Sequence, residues 1–399
     1  MKKNIHYSNY LKNFFSAKNE KISFNKIFEK IISNLDTVED TYRFLSKNFK
    51  INLNFKELNK FKKFKTIIII GMGGSVLGSS AIYNFFKEKI KKKVFFFDNL
   101  DPKKISDFKR KNNVNKCLFI VISKSGNTIE TLANFISLNI IKKKAKNIII
   151  ISERKKNILF ALSKKYNLFF VEHRKFLGGR YSVLSEVGLV PAYLMELNIK
   201  KLRENLFSQI LKNKKFLKES TTILANILKK KNFKNIVFLN YSPKLEGFLL
   251  WLQQLISESL GKKGKGFLPT LSNNPKDHHS IFQLYLDGPK DKIFYLFEMK
   301  DENNINLKTK NLHTGISYLD NKKIDKLKSA QQKAVKKIFI KNKIPFREFS
   351  IKVAKEDTLG ELFTYFMLEI SIIGKIANLN PFNQPAVEQI KINNKKLLK

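Results

Sequence analysis

The chain of 399 residues contains very little cysteine, and this shortage excludes one class of protein. A single cysteine, Cys117, cannot form a disulfide within the chain, which rules out a disulfide-stapled secreted scaffold. No run approaches the roughly 18 uncharged apolar residues of a membrane helix, so we expect no membrane contact. The first residues also lack the apolar core of a secretion signal. The sequence therefore predicts a cytoplasmic protein.

Arginine is scarce too, although the formal net charge is +44. Only seven of the 77 positively charged residues are arginine, and the lysines are spread through every segment. Nucleic-acid-binding proteins favour arginine for bidentate contacts with bases and phosphates. Lysine, asparagine, isoleucine and phenylalanine share A/T-rich codons, so base composition explains the excess as well as a polyanion partner would. We expect no nucleic-acid partner, and strongly salt-dependent binding to nucleic acid would support the alternative.

Continuous apolar runs are abundant and alternate with helical patterns. TIIII at 66–70, VFFFD at 94–98 and CLFIVIS at 117–123 are such runs, and a second alternation begins at 235. Runs of this kind are typical of parallel strands covered on both faces by helices. We predict an α/β protein with two lobes, each a mainly parallel sheet flanked by helices in a three-layer α/β/α arrangement. The predicted division is a helical lead-in over 1–50, a first domain over 51–200 and a second over 201–399.

The apolar run at 117–123 leads into a hydroxyl-rich turn and then a helical pattern. Ser123, Ser125 and Thr128 offer side-chain donors, and the free amides and dipole of a helix N-terminus attract an anion. The turn lacks the G-x-x-x-x-G-K-[ST] pattern of a nucleotide P-loop. It predicts a site for one compact phosphate monoester, with an ordinary hydroxyl-rich helix cap as the alternative.

Two glycine-rich turns are further candidates for ligand contact. A dinucleotide fingerprint beginning at Gly71 would need glycine at position 76, where Val76 stands, so we expect no nicotinamide cofactor. Gly74 instead lets the backbone approach a small ligand, with Ser75 as a donor. The second turn, at residues 178–182, carries Arg180, whose guanidinium can hold an anion. An ordinary surface turn is the alternative.

Three ionisable side chains are candidates for proton transfer. Glu258 lies near the end of an apolar helix and can act as a general base, the alternative being a solvated helix residue. His279 follows another histidine directly, whereas a metal pair prefers the H-x-x-x-H spacing, so we expect proton transfer and no metal. A helix-capping histidine is the alternative. Lys391 follows a rigid turn that two prolines enclose.

Taken together and in order, these segments resemble the glucose-6-phosphate isomerase (phosphoglucose isomerase) family, which is built from two sugar-isomerase (SIS) domains. The resemblance covers most of residues 65–395. It implies cofactor-free, reversible isomerisation of D-glucose 6-phosphate to D-fructose 6-phosphate through a cis-enediol(ate), a step of glycolysis and gluconeogenesis. A phosphosugar isomerase that also accepts mannose 6-phosphate and a non-catalytic sugar-phosphate sensor built on the same domains are the alternatives.

The resemblance also implies a role for each motif residue. Glu258 would move a proton between C1 and C2, and Arg180 would stabilise the charge of the enediolate. His279 and Lys391 would assist ring opening. The family's histidine reaches the site from a partner subunit, so the resemblance implies a homodimer with its active site at the interface. The implied substrate-binding residues are Gly74, Ser75, Ser123, Lys124, Ser125, Thr128, Gln254 and Gln384.

Overall fold

The computed structural model describes residues 4–16, 20–204, 206–300, 305–310 and 312–398. Its strands in chain order are β1 Ile5–Asn9, β2 Thr66–Ile70, β3 Lys93–Phe97, β4 Cys117–Ile122, β5 Ile148–Ser152, β6 Phe169–Glu172, β7 Asn235–Asn240, β8 Leu268–Asn273, β9 Lys292–Met299 and β10 Phe346–Ile351. The helices are α1 Glu20–Asn34, α2 Leu77–Phe85, α3 Pro102–Lys111, α4 Ile129–Ser137, α5 Ile158–Tyr166, α6 Glu186–Leu194, α7 Ile199–Leu202, α8 Leu206–Lys212, α9 Lys214–Lys230, α10 Glu246–Leu260, α11 Phe282–Asp287, α12 Ile324–Lys341, α13 Glu356–Ile376 and α14 Pro385–Leu397.

The first sheet is entirely parallel, with strand order β3-β2-β4-β5-β6. Strands β4 and β5 are buried along their whole length, as the continuous apolar runs predict. The first strand to enter this sheet, β2, has β3 on one side and β4, β5 and β6 on the other, so the topological switch point lies between β2 and β4. Ligands of open α/β sheets bind at the carboxyl ends of strands at such a point.

The second sheet repeats this order as β8-β7-β9-β10, with β1 added antiparallel to β10 at the edge. The predicted fold class, two lobes with mainly parallel sheets flanked by helices, is confirmed. None of the helices in the part of the chain that the structure describes has an apolar stretch long enough to cross a bilayer.

The sequence predicts helix throughout residues 1–50, and here the structure differs. Helix α1 is present, but residues 5–9 form strand β1 and residues 41–45 form a short 3-10 helix. The sequence IHYSN is short and half polar, and only its pairing with β10 makes it a strand. Strand β8 also lacks a sequence signal, because it contains Pro269 and three polar residues, which an edge strand tolerates.

The two lobes pack closely through helices α2 and α10. Gly247 at the start of α10 makes this approach possible, since a Cβ there would lie 3.0 Å from the carbonyl oxygen of Ser80 and 3.1 Å from Cα of Ala81. Helix α13 is buried along nearly its whole length and packs on α9 and α10. Because α10 packs on α2, this helix of the second lobe also lies beside the turn between β2 and α2, the first βα turn of the first lobe.

An ion pair between Arg347 on β10 and Glu369 on α13 lies entirely inside the second lobe, with both side chains 0% exposed. The guanidinium donates to both carboxylate oxygens, at 2.5 and 2.7 Å, and lies 3.7 Å from the ring centroid of Tyr295. Hydroxyls of Tyr365 and Ser220 donate to the same carboxylate. Burial acts to lower the pKa of Arg347, but the Glu369 carboxylate together with Tyr295 and Tyr365 raises that pKa overall.

We expect Arg347→Met to destabilise the protein by about 3–5 kcal/mol, because it leaves the Glu369 carboxylate buried without its cation. Urea unfolding followed by circular dichroism measures this change. The matched control is Arg110→Met, which removes an arginine from a surface pair with Asp107, where the arginine side chain is 74% exposed. The control should leave the free energy of unfolding nearly unchanged. Equal midpoints for the two variants would contradict a structural role for the buried pair.

Candidate active site

The turn after β4 gathers three hydroxyls at the switch point of the first sheet. The Oγ of Ser123 lies 2.9 Å from Oγ1 of Thr128, and Oγ of Ser125 lies 3.5 Å from both. Gly126 turns the chain with φ of +68°, and a Cβ there would lie 1.8 Å from Oδ1 of Asn157. Thr128 precedes α4 without capping it through its side chain, so the first-turn amides of α4 stay available to an anion.

Lys124 lies in the same turn, but its ammonium group points elsewhere. Nζ donates to the carbonyl of Lys175 at 2.8 Å and lies 3.6 Å from the Glu153 carboxylate. Burial lowers the pKa of Lys124, while Glu153 opposes that shift. The Lys124 ammonium group is therefore already engaged by Lys175 and Glu153, and its contact with substrate stays a prediction.

The glycine turn after β2 packs against the turn that carries Arg180. Gly73 has φ of +53°, and a Cβ on it would lie 2.7 Å from Nε2 of Gln254. A Cβ on Gly74 would lie 2.2 Å from the carbonyl carbon of Gly179 and 2.4 Å from the amide nitrogen of Arg180. Only glycine permits this approach of two backbones. Ser75 follows at the half-buried end of the turn.

Arg180 is 2% exposed and joins three separate parts of the chain. Nη1 donates to Oε2 of Glu258 at 2.9 Å and to Oε1 of Gln384 at 3.0 Å, and Nε donates to Oγ of Ser259 at 2.9 Å. Nη2 donates to the carbonyl of Pro381 at 2.6 Å and to that of Asn383 at 3.2 Å. Because the guanidinium is planar and its donors have fixed directions, these hydrogen bonds fix both the orientation of Arg180 and the positions of the groups that accept from it.

Glu258 lies on the last turn of α10 with its side chain 31% exposed. Arg180 holds Oε2, and Nε2 of Gln254, one helical turn earlier, donates to Oε1 at 2.9 Å. The carboxylate is therefore held at both oxygens and is still accessible from outside. A positioned, accessible carboxylate beside a permanent cation can remove a proton from carbon and have the resulting negative charge stabilised.

His279 stands at the end of a 3-10 helix over Lys276–His279 and is exposed. Its ring makes no hydrogen bond to another described residue, and it takes no part in the contacts around Arg180. The neighbouring His278 behaves differently, because Nε2 lies 2.9 Å from the hydroxyl of Tyr241 and its ring lies against Phe282. Burial lowers the pKa of His278.

Lys391 is also separate from the cluster around Arg180. It lies on α14 with 61% of its side chain exposed and pairs with Glu388 at 2.6 Å. Helix α14 has no buried residue. Within the described ranges, no group of three or more potential ligands could hold a metal ion.

The comparisons with known proteins agree on one family. The family profile described as phosphoglucose isomerase matches residues 18–399. The glucose-6-phosphate isomerase of Methanocaldococcus jannaschii is 33% identical, over 84% of this chain and 86% of that protein. The chain belongs to the phosphoglucose isomerase family.

Two further family members resemble the chain over nearly its whole length. The glucose-6-phosphate isomerase of Mycoplasmopsis synoviae is 30% identical over 97% of this chain and 98% of its own. The crystal structure of a glucose-6-phosphate isomerase from Chlamydia trachomatis has a TM-score of 0.73 at 18% identity, covering 99% of this chain and 81% of the other. At that identity the structural likeness establishes the fold alone.

Within the single chain, the structure brings together some of the predicted site residues. Glu258, Arg180, Gln254 and Gln384 are joined by hydrogen bonds, and the glycine turn of Gly74 packs on them. The hydroxyls of the turn after β4 form a second cluster. Three predicted residues lie outside both clusters: Lys124, His279 and Lys391.

Sequence reasoning missed three residues that support Arg180 and Glu258. Ser259 is fully buried and accepts from Arg180, and the indole of Trp251 donates to the Arg180 carbonyl at 3.1 Å. Lys262 donates to the carbonyl of Asn380 at 2.5 Å. Trp251 and Ser259 lie on α10 and Lys262 directly follows its end, and a hydroxyl directly after the candidate base was the available signal.

His173 lies behind the hydroxyl turn and generates a stability prediction. Burial lowers its pKa to about 4 from 6.5, and Lys124 lowers it further while the Arg174 carbonyl and Glu153 oppose this. Because the folded-state pKa is the lower one, the unfolded chain binds more protons between about pH 4 and 6.5. Stability should therefore fall as the pH falls through this window, by up to about 3 kcal/mol.

His173→Asn removes the titrating group, so we expect its free energy of unfolding to lose this part of the pH dependence. Urea unfolding at a series of pH values from 4 to 7 measures it. His6→Asn, which removes an exposed imidazole, is the control and should keep the wild-type slope. An unchanged slope in His173→Asn would show that the imidazole is not held neutral.

Proposed function

We propose that this protein catalyses the reversible isomerisation of D-glucose 6-phosphate to D-fructose 6-phosphate, in glycolysis and gluconeogenesis. The observation that carries the proposal is the arrangement of Arg180 and Glu258, in which a buried permanent cation lies 2.9 Å from an accessible carboxylate. Membership of the phosphoglucose isomerase family supports the substrate and the reaction. The named relatives are glucose-6-phosphate isomerases.

The hydroxyl turn after β4 is proposed to hold the phosphate of the sugar. Ser123, Ser125 and Thr128 offer three hydroxyls within 3.5 Å of one another, and the first amides of α4 add positive partial charge. The phosphate does not react, so its binding energy serves to orient the carbon chain towards Glu258. Lys124 would join this site only after leaving Lys175 and Glu153.

Glu258 is proposed to remove the proton from C2 of the open-chain aldose. The C–H electron pair then forms the double bond between C1 and C2 while the π pair of the C1 carbonyl moves onto O1, which gives a cis-enediol(ate). The same carboxyl group returns the proton to C1 as O1 keeps a proton and the O2 hydroxyl loses one, which leaves the carbonyl at C2. Arg180 stabilises the negative oxygen of this intermediate without being deprotonated itself, because a guanidinium keeps its charge. Gln254 and Gln384 hold the two partners in place.

Ring opening needs proton transfer at the ring oxygen, and His279 and Lys391 are the proposed groups. Both are exposed and separate from Glu258 in the single chain, which supports a homodimer whose partner subunit completes the site. Helix α14 supports it as well, because Ile390 is 69% and Leu397 86% exposed. Uncovered apolar side chains on a helix that buries no residue are typical of an interface.

No step of this mechanism needs a metal or an organic cofactor, since each one moves a proton between positioned side chains and the sugar. The proposed setting is the cytoplasm, where phosphorylated sugars are interconverted. The large positive charge of the chain would help to attract a dianionic substrate.

Glu258→Gln should lower kcat about 10²–10⁴-fold, because the amide cannot accept the C2 proton. Binding of glucose 6-phosphate, measured by titration calorimetry, should remain. Glu246→Gln, at the other end of the same helix, is the matched control and should keep wild-type turnover.

The coupled assay takes fructose 6-phosphate as substrate and detects glucose 6-phosphate. Turnover by Glu258→Gln close to that of the wild type would contradict the assignment of the base. Binding without turnover by the wild-type chain would instead favour a sensor, and a parallel assay with mannose 6-phosphate tests for broader specificity.

A shared active site predicts complementation between two inactive variants. Glu258→Gln and His279→Ala are each expected to be inactive as homodimers. A hybrid dimer of the two has one site with both groups intact if the histidine comes from the partner subunit. Unfolding and refolding an equal mixture should therefore restore about a quarter of the wild-type activity, since half of the dimers are hybrids with one working site.

The same mixture distinguishes the alternative arrangement. If His279 serves the site of its own subunit, each site in a hybrid carries one substitution and activity stays absent. Sedimentation of the wild type in the assay buffer is the control for assembly. A fully active monomer would contradict the proposed dimer.

A further inference from the structure

The segment between α13 and α14, residues 377–384, is held mainly through its backbone carbonyls. We call it the C-terminal linker. Lys265 donates to the carbonyl of Ala377 at 3.2 Å, and Lys262 donates to that of Asn380 at 2.5 Å. Arg180 donates to two further carbonyls and to the side chain of Gln384. Three cations therefore hold the linker that leads to helix α14, which has no buried residue.

Lys262 differs from Lys265 because it also contacts the helix that carries Glu258. It follows Gly261, the residue that ends α10, and donates to the carbonyl of Ser259 at 3.2 Å. That carbonyl is one of the last in α10 and has no partner within the helix. A cation at this end of a helix is favoured by the helix dipole. Lys262 thus connects the end of α10 to the linker by two hydrogen bonds.

We propose that Lys262 is a positioning residue for the isomerisation, which fixes the C-terminal linker against the end of α10 and so holds Gln384 on Arg180. This inference rests on the proposed function. Lys262 acts on Glu258 through geometry, because the base and Gln384 share the same guanidinium. The proposed role of Lys262 does not include a contact with the substrate.

The surroundings of Lys262 make this attachment sensitive to pH. Burial lowers the pKa of Lys262 to about 8, the charge of Arg180 lowers it further, and the Glu258 carboxylate raises it. Arg180 and Glu258 are the charged groups that act on it. Hydrogen bonds from an ammonium group are stronger than those from a neutral amine. The linker is therefore held more tightly below about pH 8 than above it.

The test compares Lys262→Met and Lys262→Arg with the wild type. Met removes both hydrogen bonds, of which the one to Asn380 holds the linker. The loss of that one charge-assisted hydrogen bond should lower kcat about tenfold, with a smaller change in KM. Wild-type kcat should decline above about pH 8. That decline should be absent in Lys262→Met and should move to higher pH in Lys262→Arg, which keeps its charge.

Hydrogen exchange of the amides in residues 380–398 gives a measurement that does not depend on activity. Lys262→Met should increase this exchange, and Lys262→Arg should restore most of the protection. Lys263→Met is the matched control, because it removes one positive charge from the same turn at an exposed side chain. The control should keep wild-type kcat, pH profile and exchange.

A wild-type pH profile and wild-type exchange in Lys262→Met would overturn the inference. A lower kcat with an unchanged profile and unchanged exchange would overturn it as well, because activity would then fall without any release of the linker. If the wild-type chain shows no isomerisation at all, the proposed function fails by itself. The exchange of residues 380–398 then still decides whether Lys262 fixes the linker.

Discussion

The candidate site depends on the buried guanidinium of Arg180. A charge that is 2% exposed has little access to water, so fixed protein acceptors must satisfy it. The acceptors come from α10 and from the C-terminal linker, while Arg180 itself belongs to a turn of the first lobe. One side chain therefore brings three distant parts of the sequence to one place. The position of Glu258 follows from this constraint together with its bond to Gln254.

Glycine makes this convergence sterically possible. The turn at Gly73 and Gly74 touches both Gln254 and the backbone of Arg180, and any side chain on Gly74 would enter the peptide that precedes Arg180. Because α2 and α10 also pack closely, the first βα turn, the base helix and the arginine turn form one closely packed unit. The hydroxyl turn after β4 lies at the same edge of the first sheet, next to β2.

Both lobes have the same strand order, yet they contribute different parts of the candidate site. The first lobe has the sequence SKSGNT after its third strand, and its three hydroxyls together with the free amides of α4 attract a phosphate. The second lobe contributes the base helix, the linker and the exposed His279 instead.

Apolar runs and their alternation with helical patterns were sufficient to predict the class of fold and the strands of the first sheet. Apolar runs such as TIIII that alternate with helical patterns favour a covered parallel sheet, and the structure has that strand at the predicted bounds. The sequence also singled out Arg180, Glu258 and the hydroxyl turn as candidates. Each motif alone fitted an ordinary turn, cap or solvated helix residue as well, and it was their order along the chain, which resembles the phosphoglucose isomerase family, that favoured the functional interpretation. Strands β1 and β8 were not predicted, since their polar residues fit a strand only beside a neighbouring strand.

Which candidate residues contact one another followed only from the tertiary structure. Arg180 and Glu258 are hydrogen-bonded, whereas Lys124, His279 and Lys391 do not contact them within one chain. Such contacts depend on distances between residues far apart in sequence, and local pattern carries no information about those distances.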